Sequence, residues 1–77
     1  MEIILKEIDN DRFWVTLEKV ELFDSIDTKI SFYQVLVIEL QLDGNALIWD
    51  YNHFADEKTA AKCYDKRVEE YIRKKYD

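Results

Sequence analysis

The four residues Leu42-Asp43-Gly44-Asn45 constrain the fold of this chain more than any others. Gly44 is the only glycine, proline is absent, and apolar runs flank the site on both sides. Asp-Gly between such runs supplies the positive φ angles that a two-residue hairpin loop demands. With Asp43 and Gly44 as the loop, Leu42 faces Asn45, Leu40 faces Leu47, Ile38 faces Trp49 and Leu36 faces Tyr51. The last three pairs are apolar and share one face. The opposite face receives Val35, Val37, Glu39, Gln41, Ala46, Ile48, Asp50 and Asn52. A one-residue slip would put both sets on the wrong sides, so turn and pattern agree.

The remaining elements follow from period. A first strand is predicted over about Glu2–Ile8, closed by the turn-forming cluster Asp9-Asn10-Asp11. A second begins at Arg12 and runs to Phe23, with Phe13, Val15 and Leu17 on one face. Leu17, Val20 and Phe23 also fit helical spacing, so residues 18–23 read as strand or as helix. A polar connection, Asp24 to Lys29, leads to a third strand over about Ile30–Leu42. After Phe54 the period changes. Asp56 is a natural N-cap, and Ala60, Ala61, Tyr64, Val68, Tyr71, Ile72 and Tyr76 repeat at three- and four-residue intervals. The expectation is an α+β domain spanning residues 1–77: an antiparallel sheet of three or four strands with one C-terminal helix packed on one face. The helix is expected across Leu36, Ile38, Leu40, Leu47, Trp49 and Tyr51. That would leave Val35, Val37 and Ile48 uncovered, joined by Trp14 and rimmed by Glu18, Glu39 and Asp50.

A chain of 77 residues has room for one domain, and 48% hydrophobic residues mark it as globular. A single glycine excludes a glycine-rich phosphate loop. The net charge of −6 is unevenly placed. Residues 1–55 hold eleven acidic and four basic side chains, whereas residues 56–77 hold six acidic and seven basic. Such a surface repels phosphate and attracts basic proteins; it would equally keep a small domain soluble. The lone Cys63 cannot form an internal disulfide, which points to a reducing cytoplasm. The apolar run near Met1 is too short for a signal peptide or a membrane span.

Residues for catalysis are scarce. His53 is the only histidine and lies in no motif. Cys63 reads as a small hydrophobe beside the core, and no CxxC or HxxxH pair accompanies either residue. Asp24 and Asp27 lack calcium-loop spacing and read as turn residues. No catalytic residue, metal or cofactor is expected.

The segment from Phe54 through Ala60-Ala61 and Tyr64-Asp65, following a hairpin, resembles the AP2 DNA-binding domain of plant transcription factors and phage integrase arms over Val35–Val68. That resemblance implies a three-stranded sheet, a helix packed on it, and DNA read by Arg and Trp on the far sheet face. The matching face here offers valine, isoleucine, glutamate, glutamine and aspartate, so no DNA-contacting residue carries over. By size, acidity and lack of catalytic motifs the chain is similar to small phage-encoded inhibitors of anti-CRISPR or anti-restriction type. That likeness implies a nucleic-acid mimic, working in the host-cell cytoplasm, that occupies a basic channel. The resulting expectation is a non-enzymatic inhibitor of a basic, nucleic-acid-binding protein or complex. Its contact residues would be Trp14, Glu18, Val35, Val37, Glu39, Gln41, Ile48 and Asp50, with Asp24 and Asp27 in a loop. Alternatives are AP2-like DNA binding and a small structural or interaction domain. Neither membrane association nor direct nucleic-acid binding is expected, and the chain should be a monomer or weak homodimer.

Overall fold

The computed structural model of the chain describes residues 1–24, 26 and 28–73. Four strands, β1 (Glu2–Asp9), β2 (Phe13–Phe23), β3 (Lys29–Leu40) and β4 (Ala46–Phe54), precede the helix α1 (Glu57–Val68). They form one antiparallel sheet in sequence order, β1-β2-β3-β4. The α+β architecture is the one the sequence implies, and residues 18–23 are strand throughout. Among the described residues no helix is long and apolar enough to cross a membrane.

Side-chain hydrogen bonds set the turns. Asn10 accepts from the N–H groups of Arg12 and Phe13 at 2.9 and 2.6 Å, closing β1 onto β2. Asp24 accepts from the N–H groups of Ile26 and Thr28, closing β2 onto β3. Asp56 caps α1 as its residue type predicts, accepting from Thr59 N–H at 2.9 Å. The helix then runs into one π-helical turn, Glu69–Arg73. Tyr76, expected to extend it, lies outside the described residues.

The β3–β4 hairpin corrects the predicted register. Gly44 N–H donates to Gln41 O and Gln41 N–H to Asn45 O, so the loop has three residues, Leu42-Asp43-Gly44. Gly44 takes φ +87° at its end, the position a bulge-closing glycine occupies. Leu40 therefore pairs with Ala46 and Ile38 with Ile48, one residue off the two-residue reading. A β-bulge at Trp49 absorbs the extra residue and restores Leu36 opposite Tyr51.

A second correction concerns the covered face. Ala60, Tyr64 and Val68 of α1 pack on Phe13, Val15, Leu17, Val35 and Val37. Val35 and Val37 are thus wholly buried beneath the helix, not exposed. The reason lies in β2. Its pairing with β3 places Thr16, Glu18 and Gln34 at the centre of the other face. A helix laid there would seal off from water a carboxylate and two further polar groups that the sheet already buries, at a cost an aliphatic face avoids. Four compact aliphatics, Val15, Leu17, Val35 and Val37, also let Ala60 bring the helix backbone close. The radius of gyration, 14.1 Å, exceeds the roughly 11–12 Å of a compact chain this long. With one layer on one side, the sheet stays open.

Candidate protein-interaction face

The face away from α1 can be read from strand register, since residues opposite one another point the same way. β2 contributes Trp14, Thr16, Glu18, Val20 and Leu22, and β3 contributes Ile30, Phe32, Gln34, Leu36, Ile38 and Leu40. β4 adds Ile48, Tyr51 and His53, and β1 adds Glu2, Ile4, Glu7 and Asp9 along one edge. Ile48 is 66% exposed, and Ile4, Leu22, Ile30, Leu40 and Tyr51 are exposed too. Phe32, Tyr51 and His53 cluster there, with the Phe32 and Tyr51 ring centroids 6.3 and 5.9 Å from that of His53. Four strands about 4.8 Å apart and some ten residues long make a face of roughly 600 Å². Exposed apolar side chains grouped in this way on one sheet face mark an interaction surface.

Its centre is polar and ordered. Thr16 Oγ1 donates to Glu18 Oε2 at 2.7 Å, and Gln34 Nε2 donates to Glu18 Oε1 at 3.0 Å. All three residues are buried. Two donors fix the carboxylate, yet none of the ion pairs among the described residues includes Glu18. Among the described strand residues the face carries by register four carboxylates, Glu2, Glu7, Asp9 and Glu18, and no lysine or arginine.

The expected contact residues divide. Trp14, Glu18 and Ile48 lie together on this face. Glu39 and Asp50 lie on the helix side, where each meets an arginine. Arg12 Nε stands 2.8 Å from Glu39 Oε2 and holds that carboxyl below its ordinary 4.5. Arg67 of α1 pairs with Asp50. Gln41 closes the hairpin loop. Asp24 is occupied by its own turn, whose N–H groups, Thr28 first and Ile26 second, hold its carboxyl below 3.8. Asp27 lies outside the described residues. The acidic rim expected from Glu39 and Asp50 is therefore neutralised within the chain. Thr16, Gln34, Phe32, Ile38 and Tyr51 belong to the face but were not expected on it; the alternation of β2 beyond Trp14 carries the signal for Thr16.

His53 and Cys63 sit on opposite sides of the sheet, so the fold does not bring them together. Burial pushes the Cys63 thiol up, which quietens it as a nucleophile. No group of three potential ligands gathers among the described residues. No protein family, no curated protein and no solved structure matches this chain.

Proposed function

We propose that this chain is a non-enzymatic binding module whose open sheet face receives a basic, partly apolar protein surface. The observation that carries the reading is the charge of that face: four carboxylates, one of them fixed at the centre, with no lysine or arginine among the described residues. An apolar floor with an acidic centre favours a partner that brings aliphatic side chains around an arginine or lysine. A second copy suits it poorly, because each copy would lay like charges against the other. A proteinaceous nucleic-acid-binding surface has the matching charge, so inhibition of such a protein by an anti-CRISPR or anti-restriction type of mimicry remains the proposed biological role. AP2-like DNA reading would need cations on this face.

The test uses two probes: an amphipathic peptide alternating leucine and arginine, and a 20-base-pair duplex. The peptide should bind wild-type protein, and Glu18→Gln, which keeps hydrogen-bonding capacity but loses charge, should weaken it roughly tenfold. Tight duplex binding that falls steeply with salt would overturn the proposal in favour of DNA recognition.

A further inference from the structure

On the helix side, at the end of the sheet where β2 begins, three aromatic rings meet. Phe13 lies 5.3 Å from Trp49 and 5.1 Å from Tyr71, and Trp49 lies 6.4 Å from Tyr71, all edge-on. Each ring arrives by a local departure from regular structure. The Asn10 turn sets Phe13, the β4 bulge turns Trp49 toward the helix side, and the π-helical turn carries Tyr71. Asn10 Nδ2 donates to Tyr71 O at 3.2 Å and ties two of these together. Bulges and π-turns concentrate where a side chain must be re-aimed. The rings and Arg12 line a pocket of about 250 Å³, below the range of drug-sized ligands and suited to one side-chain head group.

Arg12, one wall of that pocket, already shows what the rings attract. Its guanidinium carbon is 4.9 Å from the Phe13 ring and 5.5 Å from the Trp49 ring, while Nε meets Glu39. The side chain is nevertheless 62% exposed and sits at the rim. We propose that Phe13, Trp49, Tyr71 and Glu39 form a guanidinium-binding cage, that Arg12 caps its rim from within the chain, and that an arginine of a protein partner displaces it. Aromatic faces attract cations, and Glu39 supplies the counter-charge either way. An exposed ion pair with an exposed cation–π contact is weak enough to exchange. The cage shares with the function proposed above only the sign of the partner's charge; it lies on the other side of the sheet.

The experiment titrates the full chain with N-acetyl-arginine amide and reads the two tryptophan indole N–H resonances. Trp49 reports the cage, and Trp14, on the open face, serves as internal control. Arg12→Ala should bind about tenfold more tightly than wild type, because the internal competitor is gone. Arg12→Gln must show the same direction, and adding Glu39→Gln to either should remove the gain. N-acetyl-citrulline amide, the neutral isostere, should leave Trp49 unmoved. Equal binding by wild type and both Arg12 variants, an equal response to citrulline, or a shift of Trp14 in place of Trp49 would overturn the cage.

Discussion

Shortening Val37 and Ile48 separates the two sides of the sheet. In the sequence-based arrangement they share one uncovered face; in the structure Val37 is wholly buried under α1 and Ile48 is 66% exposed. Val37→Ala removes two methyl groups from a packed site, at about 0.8 kcal/mol each for the lost transfer. The cavity left behind adds a smaller amount, for a total near 2 kcal/mol. Ile48→Ala removes more atoms, yet from a position already in water, and should cost less than about 0.5 kcal/mol. For a domain of this size, 2 kcal/mol corresponds to a fall in Tm of roughly 8–16 °C. That is a large share of a small core's stability. Urea unfolding of the two variants beside wild type, with equal slopes, measures both differences. A Val37→Ala cost under about 0.5 kcal/mol, or an Ile48→Ala cost as large, would refute the placement of the helix.

Other outcomes follow from the same geometry. Gly44→Ala should cost about 1 kcal/mol through backbone strain alone, since φ is +87° and nothing lies within 4 Å of the added carbon; thermal melting reads it. Asp56, held below its ordinary 3.8 by Thr59, stabilises fully above pH 3.8 and loses that contribution as pH falls through its lower folded value. Asp56→Asn should keep the cap and the Tm at pH 7 while flattening the acid limb, as melts between pH 2 and 7 would show. Sedimentation equilibrium at micromolar concentration should find a monomer or a weak dimer; a tight dimer dissociated by Ile48→Glu would show that the open face serves self-assembly.

Much of the fold was legible because it rests on local chemistry. Asp9-Asn10-Asp11, Asp43-Gly44 and Asp56 act through short-range hydrogen bonds or a positive φ, and each stands where its residue type predicts. The hairpin register escaped because Asp-Gly serves a two-residue loop and a three-residue loop with Gly44 equally well. Trp49 then hid the slip by bulging. The covered face escaped for a longer-range reason. The β2–β3 connection has no turn signature that counts residues, so the meeting of Thr16, Glu18 and Gln34 was not readable. Without that polar centre, the larger side chains of Leu36, Ile38, Trp49 and Tyr51 made the wrong face look like the core. The same blind spot placed Val35 and Val37 in the candidate contact surface and left out Phe32 and Tyr51.

Backbone amide chemical shifts, followed while the leucine–arginine peptide is added, address the open face most directly. Perturbations are expected along Trp14, Glu18, Gln34, Leu36, Ile38 and Ile48, largest at the buried carboxylate's neighbours, with α1 residues Ala60 and Tyr64 unmoved. Shifts confined to α1, or a sheet face that stays silent while the peptide binds, would contradict it.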